Sequence, residues 1–290
     1  MDHPTDRATY RLRRWWVSSS FRFRVVRWAA WILRRAWVSL PEIEATHKRS
    51  LGLLVTPESE YSASSKFGDT AVEGEITSWL GYRRGIERGA PGGESPQLYA
   101  HVIDRLSEIL QDLRPRTFIN VGVCYPYIDS VLATRNPSTN FVGVERTDVV
   151  PTLNRLFFDD IPNLSFQSGD IFEILRRNRS DFRGGLLFHT RTMTLLSRAF
   201  VERLYGAASA AEVSVIVGCE QFGVSRQTGS PYVFSLDKDA PSIIYRKSMF
   251  MHNYPGILHG AGYDTVHAEF VRTGHPDADY RIFSFEGRRR

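Results

Sequence analysis

Five short stretches hold the side chains whose types can do chemistry. His189 closes the apolar run of "GGLLFHTRTM", Glu220 follows another in "GCEQFG", and His252 stands in "MHNYP". Histidine titrates near neutral pH, so it suits general acid–base work. That is the role open to His189, whereas for His252 and Glu220 three stay open: base, group that orients the base, or substrate contact. Each also has a plain structural alternative, a polar side chain satisfied by backbone groups. Two further carboxylates stand at strand ends. Glu145 closes "FVGVE", where an acid is expensive without a partner; that partner is a ligand or a cation such as Arg146. Asp170, in "NLSFQSGDIF", sits between a strand-like and a helical run, as a helix N-cap, a ligand contact or both.

The stretch "FINVGVCYP" reads as a buried strand, a glycine and a proline-started helix. A dinucleotide loop wants G-x-G-x-x-G, because the backbone must approach a diphosphate closely. Only Gly122 is present.

The elements that position these residues are regular from Gln97 onward. "PQLYAHVIDRLSEILQDLRP" carries apolar residues at Leu98, Val102, Leu106, Ile109, Leu110 and Leu113, the period of an amphipathic helix that Pro115 stops. Strands are expected at Thr117–Val121, Phe141–Glu145, Leu164–Gln167, Gly185–His189 and Val213–Cys219. Helices are expected at Pro126–Thr134, about Val150–Phe158, Ile171–Arg177 and Thr194–Ala208. Such alternation implies right-handed parallel crossovers and a doubly wound sheet. A long irregular segment, Gln221–Met249, then precedes a short helix near Tyr254–Gly260. "TVHAEFV" and "YRIFSFEG" follow as an antiparallel hairpin. His259, His267 and His275 read as surface or packing residues.

The 290 residues allow one large α/β domain with extensions. Two cysteines, Cys124 and Cys219, imply no disulfide framework and a reducing compartment. Both read as packed residues near strand ends, and no metal ligand set is visible. The net charge of +5 belongs to the N-terminus: residues 1–50 hold eleven Lys/Arg against four Asp/Glu, and the rest hold 26 against 28. The body therefore lacks the basic face of a nucleic-acid-binding domain.

Residues 1–55 form a basic arm holding five of the six tryptophans. Projected as a helix over 21–38, Arg24, Arg27, Arg34 and Arg35 gather on one face with Trp31 and Val38. Phe21, Val25, Trp28, Ala29, Ile32, Leu33 and Ala36 fill the other. That is the composition of a helix lying in a membrane interface; packing on this chain's own core or on another copy is the alternative. The longest charge-free apolar run, Trp28 to Leu33, has six residues, against roughly 20 for a membrane span. Residues 56–96, rich in Ser, Gly and Pro, read as a linker or a lid. Residues 97–290 are the α/β domain.

Together these landmarks resemble the class I S-adenosylmethionine-dependent methyltransferases, and more loosely the bacterial small-molecule and sugar O-methyltransferases. "FINVGVCYP", "FVGVERTD", "NLSFQSGDIF", "GGLLFHTRTM" and "HNYPGILHGAGYDTVHAEF" fall in the family's order over about Gln97 to Arg288. The resemblance implies a Rossmann-like, mostly parallel sheet with a C-terminal antiparallel hairpin. It implies S-adenosyl-L-methionine as cofactor, held by Asn120, Gly122, Cys124, Glu145, Arg146, Asp170 and Ile171. Glu145 would accept the ribose hydroxyls, Asp170 would meet the adenine amino group, and Ile171 would lie on the ring. The cofactor has no phosphate, so one tight turn at Gly122 suffices. Asn120 stands where the family usually shows an acid; its amide can still hydrogen-bond.

The implied reaction is methyl transfer to the hydroxyl of a sugar, glycolipid or other small molecule, with His189, His252 and Glu220 as candidate catalytic residues and a histidine as base. Two other readings are a NAD or nucleotide-sugar enzyme on a Rossmann sheet and an inactive, membrane-recruited binding module. The expected partners are a small-molecule or lipid-linked acceptor, a membrane surface through residues 10–38 and a second copy of the chain, with no nucleic acid. The expected location is the cytoplasm, with peripheral contact at the inner membrane face if the arm binds lipid.

Overall fold

The computed structural model describes residues 96–123, 125–146, 151, 154–155, 158–223, 243–245, 249–271 and 280–290. The arm, nearly all of the linker, Cys124 and His275 lie outside the described residues, as does most of the helix expected over 150–158.

In chain order the described elements are α1 (Pro96–Leu113), β1 (Thr117–Val121), α2 (Tyr127–Arg135), β2 (Asn140–Glu145), β3 (Leu164–Ser168), α3 (Ile171–Arg177), α4 (Arg179–Phe182), β4 (Leu186–Thr190), a 3₁₀ turn (Met193–Leu195), α5 (Arg198–Ala210), β5 (Val215–Gly223), β6 (Ile243–Tyr245), β7 (Met249–Met251), α6 (Tyr254–Gly260), β8 (Tyr263–Val271) and β9 (Tyr280–Arg289). Seven strands form one sheet in the order β3-β2-β1-β4-β5-β9-β8. β1 to β5 run parallel, and β9 pairs antiparallel with both β5 and β8. This is the mostly parallel, doubly wound sheet with a terminal antiparallel hairpin that the sequence predicts.

The strands are apolar on both faces because both faces are covered. Phe118, Phe141, Phe166, Phe188 and Val217 point toward α1 and α2, whose Leu98, Val102, Leu106, Ile128 and Leu132 meet them. Ile119, Val142, Leu187 and Ile216 point the opposite way, toward α3, α5 and α6. Burying each such side chain contributes about 1.5–3 kcal/mol, so the sheet is a rigid frame for its edges. Arg105 on α1 pins β9 through a 2.6 Å ion pair to the buried Glu286.

Three elements depart from the pattern read in the sequence. β5 continues through Glu220 to Gly223, because β9 supplies a ladder partner at each step, Glu220 opposite Phe283 and Gly223 opposite Tyr280. Glu220 thus lies inside the strand. The segment expected to be irregular over 221–249 also contains β6, paired antiparallel with β7. In addition α5 starts at Arg198, not Thr194: Ser197 caps it by accepting from the Phe200 N–H, and the preceding residues form the 3₁₀ turn.

Candidate active site

The carboxyl ends of β1, β2 and β3 lie side by side, the edge where open α/β sheets take ligands. Backbone hydrogen bonds tie the three turns together. The Gly122 N–H donates to the Val144 carbonyl at 2.8 Å, and the Gly169 N–H donates to the Glu145 carbonyl at 3.0 Å. Gly122, Glu145 and Asp170, distant in sequence, are therefore neighbours along one edge. Glu145 Oε1 accepts from the Arg146 N–H at 2.8 Å, and Arg146 is exposed. Asp170 is exposed and caps α3, accepting from the Phe172 N–H at 2.8 Å. Its second oxygen leaves room for the double role expected of it. Ile171, the first residue of α3, is buried in the apolar cluster beneath the sheet.

Gly122 has φ +79°, a left-handed conformation that a side chain strains. A Cβ there would also collide with the Thr192 side chain. Thr192 comes from the turn after β4, so this turn lies directly over the glycine. Arg191, next to it, has φ +54°, a sparsely populated conformation for such a residue.

That turn is held from below by a buried polar network. His189 and Glu220 are fully buried, with Nδ1 and Oε1 2.7 Å apart. A carboxylate only accepts, so Nδ1 carries the hydrogen. Nε2 lies 2.8 Å from the Tyr205 hydroxyl, and in a neutral imidazole it accepts from that group; burial holds the hydroxyl well above its ordinary pKa. Glu220 also accepts the backbone N–H groups of Thr192, Met193 and Thr194 at 3.2–3.3 Å, so it is the buried cap of the 3₁₀ turn. His252 closes the other end, its Nε2 donating to the carbonyls of Met193 at 3.1 Å and Leu196 at 2.9 Å. Burial lowers its pKa to about 4, against the opposing pull of those carbonyls. Gly218 makes room for the His189 ring: a Cβ there would lie 2.6 Å from Cε1.

The three residues expected to do proton chemistry are thus brought together, but beneath the edge instead of on it. Both ring nitrogens of His189 are engaged within the core, and the expectation of a base open to an acceptor does not match that geometry. The reason is that β4 is covered on this face by α5 and α6, whose Tyr205 and Tyr254 rings lie 5.9 and 6.4 Å from the imidazole. Cys219 is buried beside Ser284, and burial pushes its thiol up to about 12; it is the packing residue expected.

One feature escaped the sequence. Asn120 Nδ2 donates to Asp129 Oδ2 at 2.8 Å, and both side chains are buried. Burial raises the Asp129 carboxyl to about 6, despite the Asn120 bond that lowers it. Asn120 Oδ1 and Asp129 Oδ1 each lack a donor. The signal was present: Asp129 precedes the buried Leu132 and Ala133 by three and four residues, so it lies on the inward face of α2.

No protein-family model matches this chain, and no curated protein matches it. Among solved structures it is similar to a magnesium protoporphyrin IX methyltransferase from Synechocystis PCC 6803 with bound SAM (11% identity, TM-score 0.46, 67% of this chain and 79% of that one). It is similar to the N-terminal domain of EvdMO1 with SAH bound (15%, 0.45, 65% and 81%). A third similar structure is an N,N-8-amino-8-demethyl-D-riboflavin dimethyltransferase from Streptomyces davawensis (16%, 0.44, 67% and 55%). With these TM-scores below 0.5, the fold is defined by its own strand order and terminal hairpin.

Proposed function

We propose that this chain is a methyltransferase that uses S-adenosylmethionine and acts on a small-molecule hydroxyl, of a sugar or a glycolipid. The observation that carries the reading is the alignment of Gly122, Glu145 and Asp170 along the edge of β1, β2 and β3. Bound there, the cofactor would supply an electrophilic methyl group. The Gly122 turn would receive its amino-acid end, Glu145 the ribose hydroxyls and Asp170 the adenine amino group.

In this reading His189, Glu220 and His252 are positioning residues. They hold the Thr192–Leu196 turn over the glycine, and with it the wall facing the acceptor. A second reading is a binding module without turnover, favoured by the enclosure of all three candidate proton carriers.

The proposal extends to the arm. A Trp/Arg helix over 21–38 resting on anionic lipid would bring the chain to a lipid-linked acceptor. Among the described residues no helix is long and apolar enough to cross a membrane. Removing residues 1–40 is expected to abolish co-sedimentation with anionic liposomes; unchanged binding would end this part of the proposal.

The deciding experiment is calorimetric titration with S-adenosylhomocysteine, with NAD as control. Micromolar binding of the former alone supports the cofactor class. Binding of NAD, or of neither by a folded sample, overturns it. An acceptor screen for methyl transfer then separates enzyme from binding module.

A further inference from the structure

We propose that β8 is a dimerisation edge: it pairs antiparallel with β8 of a second copy of this chain, about a two-fold axis at Ala268, so that one sheet runs through both copies.

β8 ends the seven-stranded sheet, and among the described residues no strand lies on its outer side. Its ladder to β9 engages one row of backbone N–H and C=O groups; the other row points outward, a template for a further strand. Of its nine residues only Tyr263 is buried. The two large apolar side chains that stand exposed among the described residues, Val266 at 52% and Phe270 at 43%, both belong to this strand. Phe270 also ends an aromatic cluster, with ring centroids 5.3 Å from Phe222 and 4.9 Å from Phe283. Apolar surface thus runs from the core out to the edge. Edge strands are ordinarily guarded by lysine or proline, and "TVHAEFV" holds neither. The bulge between Thr265 and His267 guards only the first part of the strand; His267 to Val271 keep a regular register with β9.

The occupant follows from the order of these residues. A two-fold antiparallel pairing sets each residue opposite the one equally far beyond the axis, so the strand must complement its own reverse. "VHAEF" does so around Ala268. His267 faces Glu269 of the other copy, Glu269 faces His267, and Val266 and Phe270 face each other on both sides. Within one chain the His267 and Glu269 side chains already meet at 3.1 Å, which shows that they share a face; across the axis the two imidazoles and two carboxylates alternate. Neighbouring registers lose this match. Centring on Glu269 opposes two carboxylates, and centring on His267 sets Phe270 against Asp264, whereas like charges directly opposite are destabilising and opposite ones favourable. Ala268 leaves the axis uncrowded. The pairing uses none of the residues along β1, β2 and β3, so it stands apart from the cofactor reading. Residues 1–55 and an unrelated protein are the competing occupants.

The test is sedimentation velocity of the full chain over a micromolar concentration series. Wild type is expected to dimerise; a monomer throughout overturns the proposal and requires no variant to fold. His267→Glu opposes two carboxylates on each side of the axis and should weaken the dimer by roughly 10-fold, since the symmetry counts the change twice. Adding Glu269→Lys returns opposite charges and should recover it. Ala268→Cys places two thiols at the axis and should give a covalent dimer on mild oxidation, with wild type as the blank; Thr265→Cys, which the register sets opposite Val271, should not. A dimer unmoved by His267→Glu, or crosslinked equally from both positions, overturns the proposal. If that dimer disappears on removal of residues 1–55, the arm is the interface instead.

Discussion

Nδ1 of His189 and Oε1 of Glu220 lie 2.7 Å apart with no exposed surface on either side chain, and this one bond joins the end of β4 to the middle of β5. Because Glu220 also caps the 3₁₀ turn, the pair fixes the wall above Gly122. Removing Glu220 leaves the buried N–H groups of Met193 and Thr194, the half-buried one of Thr192 and the His189 N–H without this acceptor. Glu220→Ala is therefore expected to destabilise the fold by about 3–5 kcal/mol, in line with breaking a buried network. Glu220→Gln should lose less, since it keeps one accepting oxygen. Urea denaturation measures both. A base that met the acceptor directly would show the opposite result: stability unchanged and turnover lost.

Much of this frame was legible in the sequence, and the limits are physical. β1 and α3 fall where expected because doubly buried strands read as continuous apolar runs and because Asp170 marks a helix start. The hairpin of β8 and β9 was visible from the turn residues between two β-rich runs. The burial of His189 is not, because it takes a tertiary fit: Tyr205 reaches it from the next helix and Tyr254 from a helix far along the chain. Glu220 looked like a residue beyond a strand end because its ladder partner, Phe283, lies far along the sequence. Asp129 carries no mark in the sequence, because an acid early in a helix is ordinarily a dipole-facing surface residue, and Asn120 alone shows only as an amide where an acid is usual.

Two buried groups titrate against each other. His252 is depressed from 6.5 to about 4 by burial, so the unfolded chain binds its proton first and stability is lost as pH falls from about 6.5 to 4. Asp129 is raised from 3.8 to about 6, so the folded chain binds its proton first and stability is lost as pH rises through the same window. Each is worth about 3 kcal/mol at most, and in the wild type they nearly cancel. Asp129→Asn should become less stable on acidification from pH 6.5 to 4, and His252→Gln more stable. Thermal melts across that range test both signs; parallel curves for the two variants would contradict the assignment.

Gly122 carries two separable constraints. Its φ of +79° strains any side chain by roughly 1–2 kcal/mol, and a Cβ meets Thr192. Gly122→Ala should destabilise the chain, and Thr192→Gly in the same chain should recover the steric part but not the backbone part. A double-mutant cycle by denaturant titration separates them. If the second change recovers nothing, the turn after β4 does not rest on the glycine.

Asp170 offers the cleanest division between a structural and a ligand role. As N-cap of α3 it accepts the Phe172 N–H, and Asp170→Ala should cost about 1 kcal/mol in stability. Asp170→Ser keeps a capping oxygen and should return the melting temperature to near wild type. It does not keep the second carboxylate oxygen or the charge that would face an adenine amino group. Affinity for S-adenosylhomocysteine should therefore stay reduced, by roughly 10-fold for a lost charge-assisted hydrogen bond. Glu145→Ala, which caps no helix, should lower affinity with little change in melting temperature. If Asp170→Ser recovers binding together with stability, Asp170 is a cap alone and the adenine end is held elsewhere on the β3 edge.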